Sequence, residues 1–183
     1  MDGIDLKGFA DLVGTLANEN SRDGLLSRVL GTVLTTASAD SGVVILAEGG
    51  GEVRVRARAD GPGTVTILDA PLESLGQASR RAIDAVLTTG QPQLITGPAD
   101  AGTDGPSRSS LCVPIERNGR LMGAIHLENK VTRHAFTEAR VRFAQAFASQ
   151  AGIVLENTRL VAGIEEALKA QTLLTLSLIH ISE

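Results

Sequence analysis

From Leu111 the chain reads LCVPIERNGRLMGAIHLENK and, a few residues on, AFTEARVRFAQAFASQAGIVLENTRL up to Leu160. No other segment constrains the fold as much. Two apolar runs meet at Asn118-Gly119, and both residue types tolerate positive φ, so the pair marks a β-hairpin turn. A long run with helical periodicity follows. Two hairpin registers fit. A two-residue loop at Asn118-Gly119 pairs Ile115 with Met122 and Leu111 with His126. A three-residue loop, with Gly119 in a left-handed bulge, pairs Ile115 with Leu121 and Leu111 with Ile125. A one-residue slip exchanges the two faces of a strand. The three-residue loop is preferred here, because it gathers Leu111, Val113, Ile115, Leu121, Ile125 and Leu127 on one aliphatic face. The opposite face then carries Ser110, Cys112, Pro114, Met122, Ala124, His126 and Glu128, a smaller and more polar set. The first face suits packing under helices; the second suits a pocket floor or a wetter sheet face.

The rest of the chain supplies the elements around that hairpin. Leu6 to Ala17 forms a helical piece. Ser21 or Asp23 caps a second helix running to about Ala39, with Leu25, Leu26, Val29, Leu30 and Val33 apolar. Gly42 to Ala47 is a short apolar run that reads as a central strand buried on both faces. Glu52 to Ala59 (EVRVRARA) alternates, so Val53, Val55, Ala57 and Ala59 are expected to face inward and Arg54, Arg56 and Arg58 outward. The arginine stripe either binds an anion or is the charged face of an edge strand that resists further pairing. Thr64 to Leu68 is a short strand, Ser74 to Thr89 a helix closed by Gly90 and Pro92, and Gln93 to Thr96 a brief strand. A polar loop, GPADAGTDGPSR, spans Gly97 to Arg108. Thr137 caps the last helix, with Glu138 in its first turn. The order is helix, three strands, helix, three strands, helix. Hairpin connections make the sheet antiparallel and the class α+β.

Composition narrows the functions. Among 183 residues there are four Phe, no Trp and no Tyr, so the core is aliphatic. Single-stranded nucleic acid would find no stacking platform. The net charge of −4 argues against nucleic acid and against an anionic membrane surface. One cysteine, Cys112, excludes an internal disulfide and a multi-cysteine metal site, and agrees with a reducing cytoplasm. No apolar run approaches the ~20 residues that span a bilayer, and the N-terminus lacks the layout of a signal peptide.

The final helix carries a second pattern. Ile153, Leu160, Ala167 and Leu174 recur every seven residues, and Val154, Val161 and Leu168 form an adjacent row. Asn157 and Gln171 fall at seam-compatible positions. The pattern reads as a parallel coiled-coil stalk of a homodimer, or as a helix end packed on its own domain. The last eight residues, Leu176 to Glu183 (LSLIHISE), match the translation of a transposase adapter used in sequencing-library preparation. On that reading they are not native sequence, the chain is a fragment cut near Thr175, and His180 has no role.

Several strings resemble the GAF family of sensory and dimerisation modules. They are the VPI strand with Pro114, the L-x-G-x-I-x-L-E-N strand from Leu121 to Asn129, and A-F-T-E leading into F-A-S-Q-A-G-I-V-L-E-N. The resemblance covers roughly Leu25 to Leu160 and is nearest to GAF modules of bacterial multidomain kinases and cyclases. It implies a six-stranded antiparallel sheet, with N- and C-terminal helices on one face and a pocket on the other. On this view residues 1–21 are an N-terminal helix and linker, and 22–160 a GAF-like sensory domain. Residues 161–175 begin a coiled-coil signalling helix, and 176–183 are the adapter-derived tail. GAF domains that bind cyclic nucleotides carry N-K…F-x-x-x-D-E. Asn129, Lys130 and Phe136 match, but Arg140 and Val141 replace the acidic pair.

The implied function is non-catalytic: a cytoplasmic sensory module that binds a small ligand, dimerises, or both. It would regulate an output domain, a histidine or Ser/Thr kinase or a nucleotide cyclase, fused beyond residue 175. The alternative is a ligand-free dimerisation spacer. Expected pocket residues are Ser110, Cys112, Met122, Ala124 and His126; expected dimer and signalling-helix residues are Ile153, Leu160, Val161, Ile164 and Leu168. No metal site and no particular cofactor is implied. A GAF-type methionine sulfoxide reductase would need several redox cysteines. Phosphate-loop, H-E-x-x-H and G-x-S-x-G motifs are not found.

Overall fold

The computed structural model describes residues 14, 16, 21–48, 51–61, 63–96 and 109–181. Of the helix expected over Leu6 to Ala17, only Gly14 and Leu16 fall within the described residues; both are helical, and Leu16 is fully buried. The polar loop from Gly97 to Arg108 lies outside them.

Helix α1 spans Arg22–Ala37. Ser21 caps it: its side-chain oxygen accepts from the Gly24 amide at 3.0 Å, satisfying one of the helix's unpaired donors. Ser38 ends the helix in the left-handed region. Three strands follow, β1 (Ser41–Ala47), β2 (Val53–Ala59) and β3 (Thr66–Pro71). A 3-10 turn over Leu72–Ser74 leads into helix α2 (Gln77–Thr89), stopped by Gly90 at φ 66°. Strands β4 (Gln93–Thr96), β5 (Ser109–Arg117) and β6 (Arg120–Asn129) precede helix α3 (Glu138–Ile181). The strands form one antiparallel six-stranded sheet in the order β3-β2-β1-β6-β5-β4. This is the α+β arrangement that the element order predicts.

The two faces of the sheet are buried differently. On one, α1 and α3 pack over Val44, Leu46, Leu111, Val113, Ile125 and Leu127. Phe136, Phe143 and Phe147 belong to this layer, and the rings of Phe143 and Phe147 stack 5.5 Å apart. On the other face, α2 lays Ala82, Ile83 and Val86 over Val43, Ile45, Val55, Cys112 and Ala124. Each apolar strand residue removed from water contributes about 1.5–3 kcal/mol. The β1 run, apolar at successive positions, serves both layers at once.

Two bulges correct the expected facing of side chains. At the hairpin tip Asn118 and Gly119 have φ 51° and 74°, and Arg117 pairs with Arg120. The loop therefore has two residues, not three. An extra residue, Met122, is then accommodated between the pairs Glu116–Leu121 and Ile115–Gly123. Beyond it Leu111 pairs with Leu127 and Val113 with Ile125, a register that neither expectation contained. A bulge restores the aliphatic face that a strict two-residue register would have split. Leu121 drops out of that face and lies opposite exposed Glu116, while Met122 packs against the α1/α3 layer.

The second bulge falls at Arg56, between the pairs Val44–Ala57 and Ile45–Val55. It sends Val53 and Val55 to the α2 layer and Ala57 and Ala59 to the α1/α3 layer, so the four do not share a face. Nor is β2 an edge strand: it pairs with β1 and β3.

Candidate functional site

Strand β6 brings the polar residues of the sheet together beneath α2. Cys112 pairs with His126 across β5 and β6, Ser110 with Glu128, and Pro114 with Ala124. Cys112 and Ala124 are fully buried, and Ser110 and His126 nearly so. Met122, expected among them, is on the other side of the sheet, because the bulge turns it toward the helical layer.

Glu128 is the hub. Its Oε1 accepts from Ser79 of α2 at 2.8 Å and lies 3.3 Å from His126 Nε2. Its Oε2 lies 3.5 Å from the Ser41 hydroxyl at the start of β1. The His126 bond holds the Glu128 carboxyl down to about 2; burial pushes the other way, and Ser79 and the charge of Lys130 add to the lowering. Sequence reasoning had placed Glu128 on this face without a role, and Ser79 and Ser41 were missed altogether. Serines on α2 and β1 give no local signal for a partner that the topology alone supplies.

A depressed carboxyl stabilises the fold above its unfolded value, and that contribution is lost as pH falls toward the folded value. For Glu128 the window runs from 4.5 down to about 2. Roughly 2–3 kcal/mol of stability is expected to vanish across it. Urea unfolding between pH 6 and 2 should show the native chain losing that much more than Glu128→Gln. Equal losses would mean the carboxylate is not held as described.

Among the described residues three buried side-chain nitrogens, Nδ1 of His126, Nε of Arg80 and Nε of Arg56, have no hydrogen-bond partner. Burial pushes the Cys112 thiol up to about 12, which leaves it protonated and a poor nucleophile near neutrality. Among the described residues no group of three His, Cys, Asp or Glu side chains is placed to hold a metal ion.

The arginine stripe is committed to its neighbours. Arg54 reaches Asp69 at 2.8 Å and Glu52 at 3.0 Å, Arg56 reaches Asp69 at 3.2 Å, and Arg58 reaches Asp60 at 3.0 Å. Arg56 and Arg22 both approach Glu48, tying α1 to the β1–β2 turn. These pairs neutralise the stripe from within.

The residues that match the cyclic-nucleotide signature also work inside the fold. Asn129 donates to the Ser38 carbonyl at 2.8 Å and accepts from the Val131 and Thr132 amides at 3.0 and 2.6 Å. The Lys130 amide donates to Asp40, and Phe136 is buried in the α1/α3 layer.

The second feature is α3. It has 44 residues, about 66 Å of helix. Leu155 is its last residue in the core. Beyond that point Leu160, Val161, Ile164 and Leu168 are all more than half exposed. The exit is gripped by the hairpin tip: a Cβ on Gly152 would stand 2.7 Å from the Glu116 carbonyl oxygen. Ile153 is half-buried at the same exit. Among the described residues no helix is long and apolar enough to cross a membrane.

An antiparallel six-stranded sheet, with α1 and α3 on one side and α2 over a polar patch on the other among the described residues, defines the class: a GAF-like α+β domain. The chain belongs to the GAF domain family, whose family model matches residues 19–156. Members of that family are generally regulatory or sensory modules. Among solved structures, the chain is similar to the GAF domain of an Acinetobacter phosphoenolpyruvate-protein phosphotransferase. Identity is 18%, with 88% of this chain and 98% of that one covered and a TM-score of 0.67. It is also similar to the GAF domain of the corresponding Coxiella burnetii protein, at 16% identity, 86% and 96% coverage and a TM-score of 0.65. A third is an enzyme, the free methionine-R-sulfoxide reductase of Neisseria meningitidis, at 16% identity, 84% and 89% coverage and a TM-score of 0.59. At such identities the likeness shows the fold alone. No curated protein matches the chain.

Proposed function

We propose that this chain is the sensory and dimerisation module of a bacterial signalling protein. A small molecule binds beneath α2, two copies pair through α3, and α3 carries the resulting bias to an output domain, a kinase or a nucleotide cyclase, in the cytoplasm. The observation that carries this reading is the polar patch on β6. A domain serving only as a spacer gains nothing from burying His126 and Glu128 under a helix, since buried polar groups cost stability unless fully paired. Strand β5, which pairs with β6 through the patch, runs on to Glu116, whose carbonyl grips α3 at Gly152, so patch and helix are joined through one hairpin. A ligand shifts the helix only if it binds the two arrangements with different affinity. Thiol catalysis is not part of the reading, because the single cysteine is a buried, protonated thiol.

A ligand-free spacer is the second reading. It is favoured by the full burial of Cys112 and Ala124 under Ile83 and Val86. A thermal-shift screen of the full chain against a panel of bacterial metabolites separates the two. Saturable stabilisation by at least one compound, with amide shifts at Ile83 and Ala124, is the expected result. A panel without a saturable binder at those amides leaves the spacer.

A further inference from the structure

The His126 ring is 3% exposed, and its two nitrogens have different fates. Nε2 faces Glu128 Oε1 at 3.3 Å. Glu128 is an ionised carboxylate and can only accept, so the proton between them belongs to Nε2. In the neutral imidazole Nδ1 is then a bare lone pair. It is buried and has no partner among the described residues. An acceptor in that position is completed by an N–H or O–H donor and by nothing else.

The surroundings set the rest of the ligand. Ile45, Ala124, Ile83 and Val86 line this side of the sheet, with Val43 and Cys112 beside the ring. The described phenylalanines, Phe136, Phe143 and Phe147, all sit in the opposite layer. A flat heteroaromatic ligand would have no ring to stack on here. Helix α2 meets the patch through small and branched side chains and the Ser79 hydroxyl.

We infer that the site beneath α2 selects a small branched aliphatic molecule that offers one N–H or O–H donor to Nδ1 of His126. The inference rests on the sensory reading given above. It assigns His126 as the specificity determinant, with Glu128 fixing the tautomer and Ser79 fixing Glu128.

The test uses the full chain labelled with 15N-histidine, in a background where His134→Asn and His180→Asn leave His126 alone. Two probes of similar shape are compared, isovaleramide, which carries N–H donors, and methyl isovalerate, which carries none. In the free protein the proton facing Glu128 is expected on Nε2, with Nδ1 as the acceptor nitrogen. Isovaleramide should move the Nδ1 resonance upfield and bind about tenfold tighter than the ester, the worth of one buried hydrogen bond. A proton on Nδ1 in the free protein overturns the inference. So does an ester that binds as well as the amide with amide shifts at Ile83 and Ala124, although the sensory reading then stands. Binding of neither probe also overturns it, and the metabolite panel then decides the sensory reading separately.

Discussion

The chain carrying Leu160→Glu and Leu168→Glu together is expected to sediment as a monomer at concentrations where the native chain sediments as a dimer. Beyond Leu155 the exposed stretch of α3 has no core to rest on, and most helical stability in proteins comes from packing an apolar face. The positions 153, 157, 160, 164, 167, 171 and 174 alternate by four and three, the spacing of a two-stranded seam. Leu160 and Ile164 lie on it, and Val161 and Leu168 flank it, all more than half exposed in the single chain. Burying each leucine against a second copy is worth at least about 1.5 kcal/mol. The two substitutions remove four such side chains from a symmetric dimer, about 6 kcal/mol or roughly four orders of magnitude in the dissociation constant. Like charges at the seam add to that loss. The domain itself should stay folded, because neither residue contributes to the core that ends at Leu155. Monomers in both chains would end the dimer reading; dimers in both would move the interface elsewhere.

Much of the architecture is legible from residues alone, and the exceptions have a common cause. The β1 run, the Asn118-Gly119 turn, the Ser21 cap and the Gly90 stop each carry a local signal, and each lies where that signal puts it. What pattern reading misses are the bulges. EVRVRARA alternates without a flaw, yet the extra residue at Arg56 splits its apolar positions between two layers. Neither uniform register fits the hairpin, because Met122 inserts a slip partway along β6. A bulge is set by what both neighbouring strands and both layers demand, which no single strand records. Gly123 shows the pressure: a Cβ there would meet the Ile45 carbonyl oxygen at 2.0 Å, so β6 approaches β1 closely just after the bulge. The candidate site was half legible for the same reason. Cys112, Ala124 and His126 follow from strand alternation, while Ser79 and Ser41 reach Glu128 only through tertiary pairing.

Asn129→Ala is expected to destabilise the domain by about 3 kcal/mol, and this substitution also decides what the N-K pair is for. The Asn129 side chain makes three hydrogen bonds, one to the Ser38 carbonyl that ends α1 and two from the amides that start the turn after β6. Asn129 is 6% exposed, so its loss leaves poorly hydrated backbone groups without partners. Each such group costs about 1–3 kcal/mol, and solvent recovers part of it at the half-exposed end of the turn. Asn129→Asp keeps the acceptor for both amides but sets a carboxylate oxygen against the Ser38 carbonyl in place of the donor, so it recovers only part of the alanine loss. If Asn129 served a ligand instead, both variants would melt like the native chain and differ only in binding. The graded loss in urea unfolding, with alanine well below aspartate, is the outcome that the hydrogen bonds require. It would place the resemblance to the nucleotide-binding signature in the joint between α1 and β6, where the side chain is already fully occupied.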